Sequence, residues 1–327
     1  MAIKTVIEAV RDTLLEEMQR DERVIVLGED VGRNGGVFRA TDGLWSKFGD
    51  DRVIDTPLAE SSIVGIAIGA ALNGLRPVVE IQFADFIHSA MDQIMSEAAK
   101  IRYRSNGAFG CPLVIRAPYG GGIHGALYHS QSVEALFFHV PGLKIVMPST
   151  PYDTKGLLKT AIRDDDPVLF FEHKRTYRHI KGEVPDEGFA IPLGVADIKR
   201  EGTSLTIITY GAMVHEALAA AEDLAGEGID AEVIDLRTLQ PLDKATILNS
   251  VKKTSKAIVL HEDNKTGGVG AEIAAILAEE LFEFLDGPIV RVAAPDVPAV
   301  PYSPPLEEAF LPNRGWVVEA ARRLAAY

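Results

Sequence analysis

Short, almost wholly apolar runs alternate with longer amphipathic ones along the chain. In the first part these runs are VIVLG (24–28), RPVVEIQF (76–83), PLVIRAP (112–118), LKIVMPS (143–149) and PVLFFEH (167–173). Runs this apolar leave no polar face for water, so they predict strands of a parallel sheet covered by helices on both sides. A helical period fills the intervals, most clearly over 89–104. The second part repeats the scheme with SLTIITYG (204–211), AEVIDL (231–236), KAIVLHED (256–263) and PIVRVAAPD (288–296), and helical runs over 213–226, 270–284 and 305–325. The pattern predicts an α/β chain of two doubly wound domains. A charged stretch with prolines and glycines, 173–202, separates the parts, and the expected division is 1–185 and 186–327.

Composition narrows the class. The chain has 327 residues, 47% hydrophobic and 24% charged, with a net charge of -14. That charge argues against nucleic acid, whose binders neutralise phosphates with Lys and Arg. The longest apolar stretch, 63–72, is too short to cross a bilayer. The lone cysteine, Cys111, allows no internal disulfide. The first 24 residues read as an amphipathic helix carrying acids as well as bases, unlike a targeting peptide. These features predict a cytoplasmic protein with no membrane and no nucleic-acid partner.

Chemistry in such sheets gathers at the carboxyl ends of strands. The candidates there are Glu29 and Asp30, Glu60, the segment 82–86, and the loop APYGGGIHGALYHSQS (117–132). GGVGAEIA (267–274) lacks the third glycine of a dinucleotide loop, and no phosphate-loop, zinc-helix or hydrolase-elbow motif is present. Glu60 opens a helix of otherwise small and apolar residues, where the helix end favours its anion and apolar neighbours disfavour it. A carboxyl so placed can pass a proton in both directions, although an acid decorating a helix start reads the same way. His124 and His129 follow three consecutive glycines. They are either proton-transfer groups or structural imidazoles.

Together LGEDVGRNGGVF (27–38), DTPLAES (55–61), QFADF (82–86), EAAKIRYRS (97–105), the glycine-histidine loop, PGLKIVMPSTPYDTKGLL (141–158), FFEHKRTYR (170–178) and VIDLRTLQPLD (233–243) resemble one family. It is the beta subunit of the thiamine-diphosphate-dependent decarboxylating component of 2-oxoacid dehydrogenase complexes. The glycine-histidine loop and EHKRTYR (172–178) are most similar to the branched-chain members, of the 3-methyl-2-oxobutanoate dehydrogenase type. The resemblance implies a transketolase-like pyrimidine-binding domain followed by a transketolase C-terminal-like domain. It implies oxidative decarboxylation of branched-chain 2-oxo acids with reductive acylation of a lipoyl group. The alternatives are a pyruvate or acetoin dehydrogenase beta subunit and, in another class, a non-catalytic docking subunit.

By the same resemblance, Glu60 matches the glutamate that drives the aminopyrimidine to its imino tautomer, and Leu58, Gln82 and Phe86 match its neighbours in the cofactor pocket. His129 matches the histidine that serves acyl transfer to the lipoyl arm, and His124 lines the substrate or lipoyl channel. The chain lacks the G-D-G and asparagine-pair motif that holds magnesium and diphosphate. A separate alpha subunit is therefore expected to hold them, in an α2β2 assembly active only when complete. The lipoyl acyltransferase is the further partner, docking through its peripheral subunit-binding domain. A structural potassium ion, held mainly by carbonyls, is implied at Val114, Ala161, Ile162, Asp164 and Asp166.

Overall fold

The structure, a computed structural model, describes residues 1–186 and 188–327. Its contacts divide the chain into two compact units, one of residues 1–119 and 136–193, the other of residues 120–135 and 194–327.

In the first unit, strands Val24–Gly28, Val53–Asp55, Arg76–Glu80, Val114–Tyr119, Lys144–Val146 and Val168–His173 run parallel. Across the sheet they lie in the order Lys144–Val146, Val168–His173, Val114–Tyr119, Arg76–Glu80, Val24–Gly28, Val53–Asp55. Because all point one way, Gly28, Asp55, Glu80, Tyr119 and His173 end on one edge, where loops can converge. The strands bury nearly every side chain, as their apolar runs require. Val26, Val78, Val114 and Phe170 share a core with Val10 and Leu14 of the helix Val6–Arg20 and Leu157 and Leu158 of the helix Pro151–Arg163.

Two elements differ from the sequence pattern in this unit. The amino terminus begins as a strand, Ala2–Thr5, paired antiparallel with Lys181–Val184. Its helix starts only at Val6, where Thr5 and Glu8 form a capping box. The helix expected over 89–104 is broken into a 3-10 turn Ala84–Ala90, a π turn Asp92–Glu97, a second 3-10 turn Ala98–Lys100 and a short α-helix Ile101–Arg104. The break coincides with the approach of Gly142, at φ +98°, to the Ala99 carbonyl. A Cβ at Gly142 would stand 2.1 Å from that oxygen.

The second unit orders its strands Val290–Ala294, Ala257–Asn264, Leu205–Thr209, Ala231–Asp235, Asp197–Arg200. The first four are parallel and Asp197–Arg200 is antiparallel to its neighbour, so this sheet is mixed. Ala217, Ala220 and Ala221 of the helix Met213–Ala225 lie in its core with Ile207, Val233 and Ile258. The run 305–325 forms two helices, Pro304–Phe310 and Arg314–Ala325. Pro312 has no N–H to continue the first, and the Asn313 side chain caps the second by accepting from Trp316 N at 3.2 Å. Among the described residues no helix is long and apolar enough to cross a membrane.

Candidate functional site

In the first unit Glu60 is the first residue of the helix Glu60–Leu72. The segment before it, 56–59, is tied to the sheet edge by Thr56 N, which donates to Gly28 O at 2.9 Å. Gly28 is needed there because a Cβ would lie 2.7 Å from the Glu80 carbonyl oxygen. The Glu60 carboxylate is half-buried and accepts from Ser89 Oγ at 2.9 Å, and the same hydroxyl reaches Phe86 O at 3.1 Å. Ser89 therefore ties the acid to the turn that carries the aromatic wall. Gln82 Nε2 lies 3.5 Å from Glu29 O. The Glu29 carboxyl is pushed upward by burial, then by the charge of Glu60 and of Asp30, which places Glu29 within electrostatic reach of Glu60.

The aromatic wall is braced from behind. Phe86 meets Phe83 edge to face at 5.9 Å, Phe83 meets Phe38 at 5.4 Å, and Phe38 meets Tyr177 at 5.3 Å. The Lys174 ammonium sits 5.7 Å from the Phe83 ring centre. Leu58 is 78% exposed, an open apolar side chain two residues before the acid. Ser89 was not singled out as a site residue, since it carried no spacing signal, and Glu29 was a candidate only by its place at a strand end.

His124 and His129 belong to the second unit. Its loop is closed by Gly120 N donating to Gln131 O at 3.0 Å. Gly120 and Gly122 take positive φ, +86° and +80°, and so do His124 and Ala126. Alternation of left- and right-handed residues turns successive amides to one side, a concavity that grips anions. Here the anions are the chain's own: Gly121 N donates to Glu262 Oε1 at 2.7 Å, Gly122 N to Glu307 Oε1 at 2.9 Å and His124 N to Glu307 Oε2 at 3.3 Å. His124 Nδ1 lies 2.5 Å from the same Glu307 carboxylate, whose side chain is buried. The structure thus gives the His124 ring a loop-holding contact. His129 follows the 3-10 turn Ala126–Tyr128 and is half-buried. Its Cβ packs where a Cβ on Gly125 would come within 2.7 Å, so the glycine sets how the histidine leaves the loop.

The acids behind this loop are crowded. Burial raises Glu134 well above the usual carboxylate range, and Tyr210 OH donates to it at 2.9 Å. Burial also pushes Asp263 up to about 6, against the pull of the Asn264 and Ala135 amides and with help from Glu262. An acid raised on folding favours the folded state while it keeps its proton. That advantage is complete below the unfolded value, about 3.9, and is lost as pH rises through the folded one. Asp263→Asn keeps the acceptor oxygen and is neutral throughout. Its stability relative to the native chain is therefore expected to rise between about pH 4 and pH 7, read as the difference of the two Tm values at each pH. A difference that does not change with pH would refute the assignment.

The implied potassium positions all lie in the first unit. Val114 opens the central strand Val114–Tyr119, Ala161 and Ile162 end the helix Pro151–Arg163, Asp164 is its C-cap, and Asp166 follows in the turn. Among the described residues no group of three or more His, Cys, Asp or Glu side chains could hold a metal ion.

The pattern of the transketolase pyrimidine-binding domain matches residues 4–180, and that of the transketolase C-terminal domain matches residues 194–316. The chain is 60% identical, over 327 residues and the whole of both proteins, to the 2-oxoisovalerate dehydrogenase subunit beta of Bacillus subtilis (strain 168). It is 53% identical, again over the whole of both, to the pyruvate dehydrogenase E1 component subunit beta of the same organism. Among solved structures it is similar to a split gene transketolase described as an inactive beta4 tetramer, with a TM-score of 0.80, 26% identity and 98% of each chain covered.

Proposed function

The chain belongs to the family of transketolase-type beta subunits of 2-oxoacid dehydrogenases, and from that premise we propose how its residues share the work. It is the beta subunit of a thiamine-diphosphate-dependent dehydrogenase component that acts on branched-chain 2-oxo acids, the reading that the 60% identity to a 2-oxoisovalerate dehydrogenase beta subunit supports. It works with an alpha subunit. The observation that carries the site assignment is Glu60 at a helix start, hydrogen-bonded by Ser89 and flanked by Phe86.

Bound thiamine diphosphate supplies the nucleophilic carbon and the electron sink for decarboxylation. Glu60, at the helix start with Ser89 on its carboxylate, would hold a proton toward a ring nitrogen of the bound cofactor. Phe86 and Leu58 would pack on the cofactor's ring, Gln82 would line its pocket, and Ser89 holds the Glu60 carboxylate. Magnesium and the diphosphate fall to the alpha subunit, in an α2β2 assembly. His129 donates the proton that the lipoyl sulfur needs when the dithiolane opens, an imidazole being suited to that transfer near neutral pH. The acyltransferase presents that lipoyl arm after docking to the assembly. We place the enzyme in the cytoplasm, where Cys111, buried and with its thiol pushed up to about 12, stays a thiol.

The pyruvate alternative rests on the 53% match, and a substrate panel separates the two. The chain co-purified with its alpha subunit is expected to decarboxylate 3-methyl-2-oxobutanoate at a kcat/KM well above that for pyruvate. A preference for pyruvate would overturn the substrate assignment, and no turnover of any 2-oxo acid would overturn the site assignment.

A further inference from the structure

The turn that the family resemblance assigns to potassium does not fit an added ion. Arg76, the first residue of the strand Arg76–Glu80, sends its guanidinium into it. Nη1 donates to Ile162 O at 3.1 Å and to Asp164 O at 2.9 Å, and Nη2 donates to Asp165 Oδ1 at 2.6 Å. The Ala161 carbonyl is taken by Asp164 N at 3.3 Å. The acid side chains are engaged as well. Both Asp164 oxygens accept from Lys144 Nζ at 2.7 Å, and Asp166 pairs with Arg102 and lies 3.6 Å from Lys144.

An alkali cation is held by a ring of oxygens that replaces its water, and it needs a lone pair of each turned toward it and a local excess of negative charge. Three of the carbonyls already accept protein hydrogen bonds. The three carboxylates of Asp164, Asp165 and Asp166 are matched by the three cations of Arg76, Arg102 and Lys144. A further monovalent cation would meet like charge at close range and find no carboxylate left to neutralise.

We propose that the Arg76 guanidinium is this subunit's resident cation at the 161–166 turn, holding the Ile162 and Asp164 carbonyls that potassium would otherwise coordinate. Nη1 spans the two carbonyls, while Nη2 anchors the group through Asp165. The first unit then folds without a requirement for a particular alkali cation. This inference stands apart from the catalytic reading, since nothing in it depends on substrate or cofactor.

The test is thermal unfolding of the native enzyme in KCl and in choline chloride at equal ionic strength, together with crystals soaked in a thallous salt and read by anomalous scattering. Equal Tm values and no thallium at the Ile162 and Asp164 carbonyls are expected. A potassium-specific rise in Tm, or thallium bound to those carbonyls, would overturn the proposal. Arg76→Met is expected to unfold several degrees lower in choline chloride and to recover part of that loss in KCl. A variant as stable as the native enzyme, or one equally weakened in both salts, also overturns it. Should the variant fail to fold, the native-enzyme measurements decide alone.

Discussion

Glu60→Gln is expected to lower the turnover of the enzyme assembled with its alpha subunit by about 10²- to 10⁴-fold, the range for loss of one positioned acid–base group. The substitution keeps the size of the side chain and an oxygen that can accept from Ser89 Oγ. What it removes is the carboxyl's ability to hold or release a proton, the role proposed for it at the cofactor's ring. On the proposed division of labour cofactor affinity is expected to change far less, because Leu58, Gln82 and Phe86 are untouched and the phosphates fall to the alpha subunit. The informative quantities are kcat measured at saturating cofactor and the cofactor Kd from titration. A kcat within tenfold of native would remove Glu60 from the proton path. A large loss of affinity at unchanged kcat would make it a binding residue only. Ser89→Ala adds a graded check. Its expected loss is smaller, since the carboxyl remains and only its orientation is freed.

The strands were legible because each is buried on both faces and so has to be apolar without interruption. Val24–Gly28 and Val168–His173 lie within a residue of their apolar runs for that reason. Glu60 was legible as a charge out of place, an acid opening a helix of small and apolar residues. The nearness of Ser89 and Glu29 to it was not. Ser89 lies 29 residues downstream and reaches Glu60 from the 3-10 turn Ala84–Ala90, where the sequence pattern predicted the start of one long helix. Glu29 lies near Glu60 only through the order of strands in the sheet, which no local spacing reveals. The glycine loop was visibly unusual, three glycines running into two histidines. The structure shows what those turned amides bind within the second unit: Glu262 and Glu307, more than a hundred residues away. Long-range pairing of this kind leaves no period and no motif. The same holds for Arg76, an ordinary strand-opening arginine in the sequence whose target carbonyls lie 86 and 88 residues on.

Arg116→Met is expected to cause the largest loss of stability of any single change considered. Arg116 is fully buried in the strand Val114–Tyr119. It holds Glu172 by two bonds, Nε to Oε1 at 2.7 Å and Nη2 to Oε2 at 2.6 Å, and Glu80 by one, Nη1 to Oε2 at 2.6 Å. Tyr177 OH adds a 2.5 Å bond to Glu172. Burial pushes the Glu80 carboxyl upward and the guanidinium pulls it back. Without the guanidinium two buried carboxyls remain with no cation between them. The expected cost is about 3–5 kcal/mol. For a unit of this size that lowers Tm by roughly 6–20 °C. A charge-free replacement of all three, Arg116→Met with Glu80→Gln and Glu172→Gln, is expected to recover part of the loss, because a buried pair is worth far less than the penalty for breaking it. The cofactor pocket should register the change as well. Tyr177 anchors the aromatic series through Phe38 and Phe83 to Phe86, so loosening its bond to Glu172 frees the wall proposed to receive the cofactor's ring. Weakened cofactor binding at a temperature where the variant is still folded is the matching expectation. A Tm within about 2 °C of native would imply less than ~1 kcal/mol of difference, and the cluster would then have little hold on either the fold or the site.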